Sequence, residues 1–233
     1  MKEKLADEPG ARCFFDIYFI RDQFLAFLYY GAASLSICAA SLIGGGVIGA
    51  VLCLMHFSRL KTLNAVAGVL VGAVRALPEL VLIFWLYSCL PLITGVTLNA
   101  LSTGLISLSL FAAAYLSEIF RAGLLAIGIG QREAGYSLGL SRLMVLRLII
   151  LPQATKIMIG PLLNFMCDLI KASTLLSALS IHEMSFYASS LGAETYKYLE
   201  IYTMVGAIYF VVIFAMSSAA KRYLARRELV LAS

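Results

Sequence analysis

Residues Glu133 to Pro152 read EAGYSLGLSRLMVLRLIILP. Uncharged runs precede this stretch and a mostly apolar run follows it. It is a polar insert between apolar segments, and it has internal structure. Arg132 to Leu138 spell about two turns of helix. Gly139 follows, a residue that closes a helix in the left-handed conformation without steric cost. Ser141 is a good cap for a second helix, expected to run to Leu151 and to stop at Pro152. The expectation is a short helix, a sharp turn and another helix, all in water.

Working outward, the flanking sequence is that of a membrane protein. The chain is 61% hydrophobic and 13% charged. A soluble domain cannot bury that much apolar surface. Backbone groups in lipid must be satisfied within helices or a closed barrel. The apolar runs are continuous rather than alternating, which selects helices. The fold class is therefore all-α and polytopic, with about five transmembrane helices. The formal net charge is +5, but the basic residues are scattered between spans. That suits membrane flanks facing a lipid bilayer and gives no reason to expect nucleic acid.

The first span lies within Phe24 to Met55, which carries no charge. Its Gly44-Gly45-Gly46 and Gly49 are small residues that let helices approach closely in lipid. The second span lies within Asn64 to Leu92 and is interrupted by Arg75, Pro78 and Glu79. Pro78 should kink or restart the helix. The spacing of Arg75 and Glu79 lets them meet on one helix face. Two readings of them stay open: a polar path through the membrane, or an arginine that snorkels to the interface. Thr94-Gly95 is a turn, and the third span runs from Leu98 to Ser117. The fourth runs from about Ile157 to Leu179. Asn164, Asp168 and Lys171 recur on one of its faces. They form either a substrate path or partner contact, or an Asp168–Lys171 pair that fixes packing. Residues 181 to 199 are polar and aromatic, and the fifth span is Ile201 to Ala220. Residues 1–23 form a lead-in, with Phe14 to Tyr18 lying along the membrane surface. Residues 24–222 form the membrane domain, and 223–233 a basic tail.

Lys and Arg set the orientation. With the tail and the 133–152 loop inside, that side holds Arg59, Lys61, Arg121, Arg132, Arg142, Arg147, Lys156, Lys221, Arg222, Arg226 and Arg227. The other side holds Lys2, Lys4, Arg12, Arg21 and Lys197. The N-terminus is then outside and the C-terminus cytoplasmic. The mixed charge of the first residues is not that of a cleaved signal peptide.

Several chemistries lack their residues. There is no G-x-x-x-x-G-K-[ST] cradle for nucleotide phosphates, so P-loop ATP hydrolysis is excluded. No Ser/His/Asp set occurs. His56 and His182 lie far apart and suggest no metal site. Cys13, Cys38, Cys53, Cys89 and Cys167 form no C-x-x-C pair and read as small buried hydrophobes. The chain is expected to be no enzyme, with neither cofactor nor metal of its own.

The spacing of Glu133-Ala134-Gly135, Gly139, Ile149 and Leu151-Pro152 resembles the EAA loop of permease subunits of bacterial ABC importers. It departs at Gly135, where that family usually has Ala, at a cost of about 1 kcal/mol to the short helix. Arg75 to Val81 with Tyr87 and Leu90-Pro91, Tyr115 to Gly123, and Lys171 to Ser177 resemble segments of the polar amino acid branch. Glu79 stands where that branch is usually apolar, and Ala172 where it is usually acidic. The resemblance covers residues from about 24 to 227. It implies the type I importer permease fold and an inner-membrane location. It implies a cytoplasmic coupling loop at about 119–156, with Glu133, Ala134, Gly135, Gly139, Leu151 and Pro152 engaging the ATPase. The implied partners are two ATP-binding subunits, a second permease subunit (a copy or a homologue) and an external solute-binding protein. ATP is then bound by the partner subunits. The path candidates are Arg75, Glu79, Asn164, Asp168 and Lys171. Their charges cancel, which leans toward a zwitterion such as glutamine. The competing reading is a self-sufficient ion-coupled carrier or channel. Within the importer class, the alternative solute is methionine or another small organic ion.

Overall fold

The structure is a computed structural model that describes residues 15–231, with side chains through Arg222. The lead-in before residue 15, Cys13 and the side chains of the basic tail beyond Arg222 lie outside the described residues. Those described are almost all helical. Four of the described helices are long and apolar enough to cross a membrane, or five when one bent pair is counted as a single span.

Helix α1 runs from Ile17 to His56. It is about 60 Å long at 1.5 Å per residue, twice the hydrocarbon thickness of a bilayer. Asp16 caps it by accepting a hydrogen bond from the Phe19 amide at 3.0 Å. Helix α2, Lys61–Ala76, and α3, Glu79–Phe84, are separated by Leu77-Pro78. A wide turn over Trp85–Cys89 leads into α4, Leu90–Thr94. The two halves of this crossing meet at 108°. Pro78 lacks the amide that would continue α2 and forces Leu77 into extended backbone. Arg75 and Glu79 therefore do not share a helix face, and no ion pair joins them among the described residues. Gly95 closes α4 in the left-handed conformation, at φ +71°.

Helix α5, Ala100–Leu125, packs along α1. The glycines of α1 make this possible. A Cβ on Gly45 would lie 2.4 Å from the Ala112 Cβ and 2.8 Å from the Ser109 carbonyl oxygen. Helix α6 is Ile129–Ser137 and α7 is Arg142–Met144. A π-type turn over Val145–Ile150 feeds α8, Leu151–Ser173, which ends in a tighter 3₁₀ stretch, Thr174–Leu179. The helix expected to stop at Pro152 does not stop there. In the wide turn the Leu151 amide reaches back five residues, to the Leu146 carbonyl. That register relieves the ring of its usual clash with the carbonyl four residues before, so the chain continues as one helical crossing from Arg142 to Leu179.

The polar segment at 181–199 contains a helix, α9, Met184–Thr195, before α10, Tyr198–Leu231. Its cap is Glu183, which is fully buried. One carboxylate oxygen accepts from the Phe186 amide at 2.9 Å, and the other from the Ser34 hydroxyl of α1 at 3.0 Å. Burial pushes the Glu183 carboxyl above its ordinary range. A neutral amide avoids that penalty: its carbonyl oxygen accepts from the Phe186 amide, and its NH2 donates to the Ser34 oxygen, whose hydroxyl then donates to the Tyr30 carbonyl at 3.2 Å. Glu183→Gln is therefore expected to leave thermal stability in detergent nearly unchanged. Glu183→Leu should lose about 3 kcal/mol, because it removes the cap and strands its donors. Equal melting temperatures for the two variants would refute this role.

Three apolar clusters organise the bundle. The central one gathers Leu108, Phe111 and Leu116 of α5 with Phe165 and Leu169 of α8. A second joins Phe27 of α1 to α9 and α10 at the end where α1 begins. The third, built on Val145 and Met158, supports α6 at the other end.

Candidate functional site: the helical loop and the charged cleft

Helix α6 is closed by a Schellman turn at Gly139. The Gly139 amide donates to the Tyr136 carbonyl at 2.9 Å, and the Leu140 amide to the Gly135 carbonyl at 3.2 Å. Gly139 sits at φ +75°, with no atom within 4 Å of where a Cβ would stand. Its glycine is required by the backbone angle alone. Ser141 then caps α7, accepting from the Met144 amide at 3.4 Å. The helix, turn and helix expected from the sequence are present in that order.

Gly135 has a packing reason. A Cβ there would meet Ile149 and Val145 side-chain carbons at 2.8 Å. The glycine lets α6 lie flat on the π-type turn, so its propensity cost is exchanged for close contact. Two side chains tie α6 back to the spans. An Arg132 Nη2 donates to the Leu124 carbonyl of α5 at 3.2 Å, and Gln153 Nε2 of α8 donates to Gln131 Oε1 at 3.3 Å. With Gly135 facing inward, Glu133, Ala134, Tyr136 and Leu138 are exposed. Ile129 and Leu143 extend this surface, and Leu138 is 79% accessible. Leu151 and Pro152 are exposed on the α8 side of it. The result is a platform held firmly from beneath, apolar at its edge and acidic at Glu133.

A second feature is an open cleft of about 340 Å³ between α3, α5 and α8. Glu79, Asp168 and Lys171 line it with the aromatic rings of Phe111, Tyr115 and Phe165. Lys171 Nζ lies 2.7 Å from Asp168 Oδ1, and both side chains are more than half exposed. Tyr115 and Phe165 stack at 5.3 Å, forming an aromatic wall. Arg75 is not in the lining. Its guanidinium stands 5.2 Å from the Tyr115 ring centre, a cation–π contact. Asn164 lies one turn before Asp168 on α8, exposed and outside the lining. The cleft thus brings together three of the five polar residues expected to form a path.

One polar cluster was not anticipated from the sequence. Glu118 of α5 is gripped by Arg121, with Nη2 at 2.6 Å and Nε at 3.1 Å. His56, the last residue of α1, approaches the same carboxylate at 3.9 Å. The i, i+3 spacing of Glu118 and Arg121 was a visible signal. The approach of His56 depends on how α1 packs against α5. Among the described residues no group of His, Cys, Asp and Glu could hold a metal ion.

Comparison with known proteins decides what kind of molecule presents this platform and cleft. Residues 41–230 match the family of binding-protein-dependent transport system inner membrane components. The chain belongs to that family. It is a multi-pass ABC transporter permease with the type I importer fold. It is 37% identical over 179 residues to the probable amino-acid ABC transporter permease protein YckA of Bacillus subtilis, covering 77% of this chain and 79% of that one. It is 32% identical to the arginine transport system permease protein ArtQ of the same organism, covering 82% and 87%. The crystal structure of an amino acid ABC transporter with histidines superposes on 91% of this permease with a TM-score of 0.84 at 28% identity, covering 98% of the compared chain. The inward-facing MetNI methionine transporter shares the fold, with a TM-score of 0.71 over 86% of this permease and 95% of that chain, at 20% identity.

Proposed function

We propose that this permease carries a polar amino acid inward and favours a zwitterion of the glutamine kind. The observation that carries the reading is the cleft. Its Asp168–Lys171 pair is more than half exposed in the single chain, and such a pair facing a water-filled path is worth about 1 kcal/mol or less. An amino acid can exchange into it, its ammonium facing Asp168 and its carboxylate facing Lys171. The stacked Tyr115 and Phe165 offer an apolar wall to the side chain. The relatives named for glutamine, arginine and cystine support an amino acid as solute. They differ among themselves, so the charges of this cleft bear on the choice.

The ATPase couples at the α6 platform. Glu133, Ala134, Gly135 and Gly139 form the docking element, and Leu151-Pro152 its junction with α8. Two ATP-binding subunits bind there from the cytoplasm, and a second permease, identical or homologous, completes the path. A solute-binding protein delivers from outside. The permease hydrolyses nothing itself. In a bacterial inner membrane its N-terminus is outside and its C-terminus inside, a reading supported by the bias of Lys and Arg in the connections. ATP-driven closure moves the platforms, and the spans switch access by rigid-body motion.

Charge reversal tests the solute assignment. Lys171→Glu leaves three carboxylates in the cleft. In proteoliposomes with the partner ATPase it should lower glutamine uptake about tenfold or more and raise the preference for arginine, a charge-pairing effect of about 1.4 kcal/mol. An unchanged preference would place selectivity outside this cleft.

A further inference from the structure

A second cavity lies between α1 and α9, at the opposite end of the bundle from α6. Its place follows from the ends of α1. The start of α1 is tied to the region between α9 and α10, because Lys197 Nζ lies 2.7 Å from Asp16 Oδ2. The last residue of α1, His56, approaches Glu118 near the α6 end.

This cavity is an open pocket of about 380 Å³. One wall is a stripe of α9, Phe186, Ser190 and Glu194 at four-residue spacing, with His182 just before the helix cap. The other wall is Gln23 and Tyr30 of α1. Tyr30 and Tyr187 stack at 4.4 Å between ring centres. Fully buried Phe27 meets Tyr187 edge-on at 5.0 Å and holds it in place. The Tyr187 hydroxyl donates to Gln23 Oε1 at 2.6 Å. The aromatic faces are therefore fixed before any ligand arrives.

The charge of the cavity is one-sided. Glu194 is exposed and makes no ion pair among the described residues. Among the described residues no lysine or arginine lines the cavity. The nearby Lys197 is held by Asp16, and Arg21 lies beside Asp22. Burial first, then the Tyr30 phenol and the Glu194 carboxylate, push the Tyr187 phenol above its ordinary range. Aromatic faces beside an unpaired carboxylate attract cations, and bulky, weakly hydrated ammonium ions most of all.

We propose that this cavity binds a small organic ammonium group between the Tyr30 and Phe186 rings and the Glu194 carboxylate. The group belongs either to a simple amine or to the ammonium end of an amino acid. The site is separate from the Asp168–Lys171 cleft, which lies between α3, α5 and α8.

The test uses the assembled transporter in nanodiscs, with tetramethylammonium and glycine as probes and acetate as the anionic control. Binding is followed by saturation-transfer NMR and titration. Tetramethylammonium should bind and acetate should not. Glu194→Gln, at an exposed position, should weaken binding about tenfold. Tyr30→Leu should weaken it comparably, and Tyr187→Phe, which keeps the ring, should change it little. Asp168→Asn should leave tetramethylammonium binding intact. Glycine binding as tightly as tetramethylammonium identifies amino acids as the source. Much weaker glycine binding, from repulsion of its adjacent carboxylate, identifies simple amines. Loss of tetramethylammonium binding in Asp168→Asn with retention in Glu194→Gln would assign it to the other cleft and overturn the proposal. Absence of tetramethylammonium binding at millimolar concentration would overturn it too.

Discussion

Gly45→Val is expected to cost the permease its central helix pair. The approach of α1 to α5 leaves no room at this position. A Cβ would stand 2.4 Å from the Ala112 Cβ, 2.8 Å from the Ser109 oxygen and 3.0 Å from the Ala113 nitrogen. Two of those three atoms are backbone, so no rotamer change relieves the contact. The helices must separate, and packing is what holds helices together in lipid. Overpacking of this kind costs about 3 kcal/mol or more. Gly49 repeats the arrangement one turn later, with the Ala113 oxygen at 2.9 Å, so the strain cannot be shed along the seam. Thermal unfolding in detergent should show a large drop for Gly45→Val. The neighbouring Gly46→Ala should be nearly silent, because its Cβ would meet its nearest atom at 4.0 Å. Equal melting curves for the two variants would contradict the packing account.

The second large effect is expected at Gly139. Here space is free and the backbone angle is the constraint. A β-branched residue at φ +75° is strained by about 2–3 kcal/mol. Gly139→Val should therefore undo the Schellman turn, release α6 from its angle and abolish ATP-driven uptake while the spans stay folded. Gly139→Asn should retain most uptake, since asparagine tolerates the left-handed region. Gly139→Asp shares part of that tolerance but places a new charge on the platform. If it abolishes uptake where Asn does not, docking rather than turn geometry is the point of failure. Full uptake by Gly139→Val would show that the turn is dispensable.

The spans and the loop were legible because each rests on local sequence. Uncharged runs place the crossings, Gly139 and Ser141 place the turn and cap, and Pro78 places the break in the second crossing. Other features depended on partners distant in sequence or on backbone geometry without a residue signature. Pro152 reads as a helix stop, but the π-type turn before it lets the helix through. The direction of the bend at Pro78 removes Arg75 from Glu79 and sets it over Tyr115 of α5. Glu183 looks like one more polar residue of an external segment. Its burial appears only when Ser34, 149 residues away, is packed against it. Gly135 reads as a weak position in a helix until Val145 and Ile149 are seen beneath it.

The central claim is that the α6 platform is where the ATPase takes hold. Its most direct test is a pull-down of the tagged permease from native membranes in mild detergent, comparing the native chain with Glu133→Arg and Gly139→Asp. The account predicts that the native permease brings down a P-loop ATPase with ATP-hydrolysing activity. Both variants should lose the ATPase while keeping their helical content and membrane location. Recovery of the ATPase in equal amount with the variants, or solute movement by the permease alone in liposomes without ATP, would contradict it.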